Sequence, residues 1–232
     1  MSGRDTVPPR AAGTTGVRGD GLIQGRRGQV LEWGALRVLG RAQRLVGVLL
    51  VLYVAAYGMR YVVLGRWAWI PMLAASFEQR PRAITLHALG GSLVLAAGLL
   101  QFQRGVRRRG PLLHRAVGWL YAAAALLAGG AGVHLAAHAV GGWTTQLGFG
   151  LLGVATLGTT AHATRLAIRR ERRAHRRWMV RSYALACAAV TLRLELPLLS
   201  AAFGLATGYQ VVSWACWVPN VLWAEWWLRR TE

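Results

Sequence analysis

The chain has 232 residues, of which 54% are hydrophobic and 11 are Trp, and its mean hydropathy is +0.34. The apolar residues are gathered in blocks that approach the roughly 20 residues a helix needs to cross a bilayer, which excludes an ordinary soluble domain. The net charge of +20 would suit a nucleic-acid-binding surface, but most of the Arg residues behind it lie at the two ends and in two loops, which excludes that function as well.

The N-terminal residues differ in composition from the rest of the chain. Residues 1–30 are rich in Gly, Arg, Thr and Pro and show no hydrophobic periodicity, which predicts a disordered tail. Residues 31–44 mix Trp and Leu with Arg, which predicts a segment lying at the membrane interface. The sequence therefore predicts two parts, a basic tail with an interfacial segment over residues 1–44 and a membrane domain over residues 45–232.

Six apolar blocks follow, and each is long enough to cross a membrane as a helix. They lie at about residues 45–64, 83–103, 112–138, 146–168, 178–200 and 209–228. Between the first two, Trp67, Trp69, Pro71 and Phe77 indicate an interfacial loop or half-helix. The predicted fold class is an all-α membrane protein with six transmembrane helices.

The Arg residues also predict the orientation. If the N-terminus is inside, 23 of the 28 Arg residues lie on the cytoplasmic side, as the positive-inside rule requires. We therefore expect both termini in the cytoplasm and the protein in a bacterial cytoplasmic membrane. The expected partners are the lipid bilayer and anionic lipid headgroups, and not nucleic acid.

The sequence contains a candidate internal repeat. Gln101 precedes His114 by the same thirteen residues that separate His162 from His175. LLHRAVGWLY and AHRRWMVRSY each begin a predicted span after an Arg-rich loop. The second and third spans would then repeat as the fourth and fifth in tandem helical hairpins, with a chance match as the alternative.

Three stretches resemble a known family. They are LHRAVGWLY, HRRWMVRSYALACAAVTLRLELP and WACWVPNVLWAEW, which are similar to bacterial multi-pass membrane proteins catalogued as domain of unknown function 2306. The resemblance covers about residues 45–228, and its most specific part is HRRWMVRSYAL continuing into VTLR. It implies a multi-pass membrane fold and carries no activity with it. Glu195 departs from the family pattern, where an apolar or aromatic residue is expected.

Ionisable side chains within the predicted spans fall into two layers. The outer layer contains Arg60, His87, His134, His138, Arg193 and Glu195, and the inner layer contains His114, His162, His175, Arg181 and Glu225. Charges inside a span are costly and usually face the bundle interior with a partner. These layers are where a functional site is expected.

The first site hypothesis is haem b held between paired imidazoles, as in membrane cytochromes. The candidate ligands are His87, His114, His162 and His175. Two stacked haems are disfavoured, because His114 and His134 are 20 residues apart, roughly 30 Å along one helix and about 160° around it. A single outer haem would join His87 to His134 or His138. A single inner haem would join His114 to His162 or His175.

The second hypothesis is a metal or proton site at His134 and His138. Residues four apart lie on one helical face, and two imidazoles there can bind a metal if a third ligand such as His87 or Glu195 approaches. The alternative is that both histidines lie at the interface and hydrogen-bond to loop carbonyls and water.

The charged residues of the last two spans suggest further contacts. Arg181 and Glu225 lie about one turn inside neighbouring predicted spans, which predicts an ion pair between them. Arg193 and Glu195 are two residues apart and point to different faces, so each needs another helix or water. Arg193 shares a stripe of small residues with His175 that suits either close packing or a narrow polar path.

No Ser/His/Asp order, paired-carboxylate site or HExxH motif occurs in the sequence, so no enzymatic activity is assigned. Three function classes stay open. They are a redox or haem-binding membrane module, a small-solute or proton carrier, and a non-catalytic scaffold or accessory subunit.

Overall fold

The computed structural model describes residues 20–68, 78–103, 105–106 and 110–231. The regular structure within these residues is helical, so the predicted all-α class is confirmed. The main helices are α1 (Asp20–Val63), α2 (Pro81–Gln101), α3 (Pro111–Ala136), α4 (Trp143–Ile168), α5 (Arg172–Ala186), α6 (Ala188–Phe203), α7 (Leu205–Ala215) and α8 (Val218–Arg230). A short 3-10 helix, Gly65–Ala68, follows α1.

Four of the described helical segments are long and apolar enough to cross a membrane. They are Gly40–Val63 within α1, Pro81–Gln101, Pro111–Ala136, and Arg172–Phe203, which joins α5 and α6. The predicted fourth span coincides with α4, whose six Thr residues lower its hydropathy. The predicted sixth span coincides with α7 and α8, which are interrupted between them.

The first helix corrects part of the tail prediction. Residues 1–19 lie outside the described residues, but residues 20–30, expected to be disordered, form the first turns of α1. No Pro interrupts the chain between Asp20 and Val63, so helical hydrogen bonding continues from the apolar span through residues 20–44. In the loop after α1, Trp69, Pro71 and Phe77 lie outside the described part of the chain.

Two helix interruptions have local causes. Cys187 lies between α5 and α6, and Pro197 lies inside α6, where it removes one backbone donor. The break between α7 and α8 falls at Trp217, just before Pro219 in the first turn of α8, where Pro is well tolerated. The interrupted segment Arg172–Phe203 has 32 residues, which is more than the roughly 20 that a span needs.

The chain divides into two units, Met1–Val46 and Gly47–Glu232. Within the second unit, helix α2 packs against α3 and α5, and α4 packs against the same two helices. Helices α2 to α5 therefore close into a four-helix ring. The connections between them are short, so successive helices are antiparallel, and α3 and α5 run in the same direction on opposite sides of the ring.

Small residues allow these helices to approach closely. A Cβ added at Gly90 of α2 would lie 2.7 Å from the carbonyl oxygen of Ala124 in α3. A Cβ at Gly153 of α4 would lie 2.7 Å from Cγ2 of Val133. Both separations are too short for real carbon atoms, so each glycine is required by a helix contact.

The remaining helices of the second unit pack outside the ring. The apolar residues Val51, Val54 and Ala55 of α1 cluster with Leu95 of α2 and with Ala186 of α5. Helix α7 packs against α6 and α4, and α8 packs against α5. Only 11% to 39% of the most apolar window of each candidate span is buried, so the apolar outer surface needs lipid to cover it.

Candidate functional site

Three hydroxyl groups meet in the middle of the ring. The Ser182 Oγ of α5 lies 2.9 Å from the Tyr121 hydroxyl of α3 and 2.8 Å from Thr160 Oγ1 of α4. Tyr121 is 1% exposed, and Thr160 and Ser182 are fully buried. Because each hydroxyl has a partner, the network offsets the cost of burying polar groups and joins three helices.

This network fixes the register of α3 against α5. His114 lies seven residues before Tyr121, and His175 lies seven residues before Ser182. Seven residues are two helical turns, about 10 Å along the axis, and return to the same face within about 20°. Since α3 and α5 run in the same direction, His114 and His175 lie at one level near one end of the ring.

Both histidines belong to stripes that face the ring interior. On α3, Val117 and Tyr121 follow His114 at three and seven residues, and on α5, Met179 follows His175 at four. Val117, Tyr121 and Met179 pack in one apolar cluster. The helical faces of His114 and His175 are therefore turned toward each other across the ring.

The ring of His175 has a fixed orientation. Its Nδ1 lies 2.8 Å from the carbonyl oxygen of Ala163 in α4. A carbonyl can only accept, so Nδ1 donates the hydrogen, and Nε2 is the ring nitrogen left to bind a ligand. A backbone carbonyl bound to one imidazole nitrogen is the usual support of a histidine whose other nitrogen binds a metal.

Gln101, a residue of the candidate repeat, forms a hydrogen bond to the first turn of α3. Gln101 Nε2 donates to the main-chain carbonyl of His114 at 2.8 Å, and the Nδ1 atom of the His114 side chain is buried. Gln101 therefore links the end of α2 to the first turn of α3. It contacts the backbone of His114 and not its imidazole.

His162 lies elsewhere. Ala163 and Thr160 are buried on the inner face of α4, whereas His162 is exposed and its ring packs edge-on against Trp178, with centroids 4.4 Å apart. Trp178 also contacts the Arg181 guanidinium, whose Cζ is 4.8 Å from the ring centroid. The structure does not bring His162 to the ring interior with His114, because a two-residue offset from Thr160 turns His162 outward.

The predicted contact between Arg181 and Glu225 is present. Arg181 donates from Nε to Oε1 at 2.5 Å and from Nη2 to Oε2 at 2.9 Å, which is the forked geometry of the strongest Arg–carboxylate pairs. The side chains are 18% and 31% exposed. The pair holds α8 against α5.

The outer histidines make local contacts. His87 Nδ1 donates to the carbonyl of Ala128 at 2.8 Å, which joins α2 to α3. His138 Nδ1 donates to the carbonyl of His134 at 3.0 Å. This hydrogen bond to the backbone leaves only Nε2 of His138 to bind a metal. Among the described residues, no group of three or more His, Cys, Asp or Glu side chains could hold a metal ion. The third ligand that a metal site at His134 and His138 requires is therefore not brought to them.

Arg193 and Glu195 do not pair with each other. Arg193 Nη1 donates to the carbonyl of Ala189 at 2.8 Å, one turn back on the same helix. Its Nε and the Oε2 atom of Glu195 are both buried, and neither has a hydrogen-bond partner among the described residues. The Arg193 Cζ lies 5.3 Å from the ring centroid of Tyr57 in α1.

Sequence reasoning missed three of the residues that organise this region. Tyr121, Thr160 and Tyr57 carry no charge, and nothing in the sequence pattern distinguishes them from ordinary residues of apolar spans. The available signal was spacing, because Tyr121 and Ser182 each follow a histidine by seven residues.

Comparison with known proteins identifies a family. A family model described as "Predicted membrane protein (DUF2306)" matches residues 84–228, which is more than half of the chain. The chain belongs to this family. No curated protein and no solved structure matches it.

The DUF2306 match places the site within the family region. Its residues include the whole of α3, α4 and α5, and with them His114, His175 and the hydroxyl network. They do not include α1. The family description and the four apolar helices agree on a multi-pass membrane protein.

Proposed function

We propose that this DUF2306 protein is a redox module of the bacterial cytoplasmic membrane that binds haem b between His114 and His175. The observation that carries the proposal is the Tyr121–Ser182 hydrogen bond, which sets two parallel helices in a register that brings the two histidines to one level. Cofactor sites in helix bundles are built in this way, from side chains on facing helices.

The residues present fit such a group. Two imidazoles are the usual donor set of the b-type haems in membrane cytochromes. His175 is oriented by its hydrogen bond to Ala163, as a ligand histidine usually is, and Val117 and Met179 supply apolar surface next to the pair. When bound, the haem iron would supply one-electron transfer, and His114 and His175 would hold it.

The proposed topology keeps six spans with both termini in the cytoplasm. Helix α4 has 26 residues, about 39 Å at 1.5 Å per residue, which is sufficient to cross a bilayer. The Arg-rich connections before α3 and α5 support a cytoplasmic location for the end of the ring that carries His114 and His175. Anionic headgroups of the inner leaflet would then surround this end.

The visible spectrum of the purified protein tests the proposal. After haem-replete expression, we expect a Soret band that is lost in His114→Ala and in His175→Ala. His162→Ala is the matched control and should keep the band, because His162 is exposed and packs on Trp178. The absence of a Soret band in the wild type would rule out haem, and equal loss in all three variants would rule out this ligand pair.

A proton or small-solute carrier is the second candidate function. The observation that favours it is the Oε2 atom of Glu195, which is buried in α6 without a hydrogen-bond partner, since intramembrane carboxylates often mark proton pathways. Proton or solute flux in proteoliposomes that is lost in Glu195→Gln would identify this function. Co-purification with a larger complex, with neither haem nor flux, would identify an accessory subunit.

A further inference from the structure

A groove of about 480 Å³ lies between α3 and α4 on the outside of the ring. Its lining residues come from one stripe on each helix, because residues three and four apart share a helical face. They are Trp119, Ala122, Ala123 and Leu126 of α3 and Ala161, Thr164, Arg165, Ile168 and Arg169 of α4. The two stripes form the two walls of the groove.

The groove is accessible from outside the protein. The large side chains of Trp119, Leu126 and Ile168 are 55%, 45% and 66% exposed. The alanines between them are small, and Ala122 among them is buried, which leaves the space that the groove occupies. A ligand that arrives through the bilayer therefore reaches the groove without the displacement of a helix.

The polar and apolar groups of the groove are separated along α4. Arg165 lies in the last turn and Arg169 at the C-cap, and both side chains are exposed. One turn further from this end, Ala161 is apolar, and the Thr164 Oγ1 donates at 2.8 Å to the carbonyl of Thr160 in its own helix. The groove is therefore basic at the end of the helix and apolar beyond it, which suits an amphiphile with an anionic headgroup at the membrane surface.

The basic end of the groove carries positive charge that needs an external anion. Residues 165–177 contain seven Arg and a single acidic residue, Glu171. Within the described part of the chain, Arg165 and Arg169 take part in no ion pair or side-chain hydrogen bond. Each guanidinium presents donors in a fixed fork that matches phosphate oxygens. A phosphate group is therefore the anion that this pair of side chains fits.

Trp119 supplies a donor on the opposite wall. It lies eight residues after Pro111, where α3 begins, which is about 12 Å along the helix. Its ring is exposed, and no described residue accepts a hydrogen bond from its Nε1. Indole rings prefer the region between headgroups and acyl chains, where the ester carbonyls of a glycerophospholipid lie.

We infer that the groove between α3 and α4 binds an anionic phospholipid. Arg165 and Arg169 hold its phosphate group. Trp119 contacts the ester region, and one acyl chain lies along Ala122 and Ala161. A second copy of the chain packed symmetrically on this face would bring its own arginines to the same place, and the like charges would repel.

The site shares no residue with the proposed haem ligands, so it stands or fails independently of the haem. It rests on the part of the proposed function that makes α4 a membrane span. Reporter fusions at the two ends of α4 test that span separately. The Soret band of the same purified protein reports the haem.

Native mass spectrometry of the full purified chain in detergent tests the inference, with phosphatidylglycerol as the probe. We expect the wild type to retain this lipid. Arg165→Gln combined with Arg169→Gln should weaken retention by roughly tenfold or more, because charge-assisted hydrogen bonds to phosphate are lost. Arg172→Gln is the matched control, because Arg172 is exposed near the same end of α4 but does not line the groove. Equal retention by the wild type and the double variant, or an equal loss in Arg172→Gln, would overturn the site.

A second variant keeps every charge and fills the groove instead. Ala161 is exposed, so Ala161→Leu adds a side chain to the groove without overpacking the contact between helices. We expect it to weaken phosphatidylglycerol retention severalfold, since the acyl chain loses its place. Unchanged retention would overturn the position of the lipid. This variant also decides the question if the double arginine variant does not fold, which far-UV circular dichroism checks.

Other occupants of the groove give different results in the same spectra. We expect zwitterionic phosphatidylcholine to be retained less than phosphatidylglycerol, and inorganic phosphate to leave the bound lipid in place. Equal retention of the two lipids, or displacement by inorganic phosphate, would overturn the choice of an anionic phospholipid. A dimer that persists without lipid and is lost in Ala161→Leu would assign the groove to a second copy of the chain and overturn the inference.

Discussion

The Ser182 hydroxyl joins three helices of the ring through hydrogen bonds to Tyr121 and Thr160. A single Ser hydroxyl can donate one hydrogen bond and accept others, so it satisfies both neighbours at once. Its position sets the level at which α3 and α5 face each other. A small polar side chain thereby decides where two larger ones, His114 and His175, are placed.

Removing this hydroxyl should destabilise the protein. In Ser182→Ala the buried hydroxyls of Tyr121 and Thr160 lose their common partner, and we expect a loss of about 1–2 kcal/mol in the free energy of unfolding. Thermal unfolding of the purified protein measures the effect. Ser200→Ala is the control, because Ser200 Oγ is buried without a hydrogen-bond partner and its removal should cost little. Equal destabilisation by the two changes would mean that the hydrogen bonds of Ser182 add no measurable stability to the protein.

At the scale of elements, the contact between α2 and α3 depends on the absence of a side chain at Gly90. A Cβ there would meet backbone atoms of Ala124 and Ala128, which cannot move aside as a flexible side chain could. The two helices would have to separate. Gly91, the next residue, has no atom within 4 Å of the corresponding Cβ position.

This difference predicts opposite outcomes for adjacent substitutions. Gly90→Ala should lower the free energy of unfolding by about 1–3 kcal/mol through overpacking. Gly91→Ala should be neutral or stabilising by up to about 1 kcal/mol, since Ala is the better helix former. Thermal unfolding of both variants in the same detergent compares them directly. A destabilised Gly91→Ala beside an unaffected Gly90→Ala would contradict the packing described for α2 and α3.

Hydropathy located the helices well, because apolar blocks of span length must be helical in a bilayer. The predicted blocks coincide with α1 to α8 apart from the helical residues 20–44. The rotation of each helix was harder to predict, since an apolar helix in lipid shows no polar face to mark its outside. His162 and His175 illustrate this, because both looked like interior ligands and only His175 lies on an inner stripe.

Contacts between distant residues were predictable only where charge required a partner. Arg181 and Glu225 could be paired from sequence because each is costly alone in an apolar span. Tyr121 and Thr160 could not, since a Tyr or Thr in a membrane helix is satisfied by many arrangements, including a bond to its own backbone. The contact between Tyr57 and Arg193 was missed for the same reason.

For the molecule as a whole, the proposed orientation can be measured. Reporter fusions that are active on only one side of the membrane should show the C-terminus after Thr231 and the connection at Arg170 on the cytoplasmic side. The turn at Gly141 and Gly142 should be on the opposite side, since α4 separates it from Arg170. A cytoplasmic signal at Gly142 would overturn the topology and with it the placement of the histidine pair.

The position of α1 outside the four-helix ring has a consequence for biogenesis. Helices α2 to α5 find their ring partners mostly among sequence neighbours, so the ring can assemble as soon as α5 is synthesised. α1 leaves the insertion machinery first, but Ala186 and Arg193, which pack against it, lie more than 100 residues further along the chain. During that interval lipid headgroups are the partners available to the first helix, and we expect the docking of α1 to be the last step of folding.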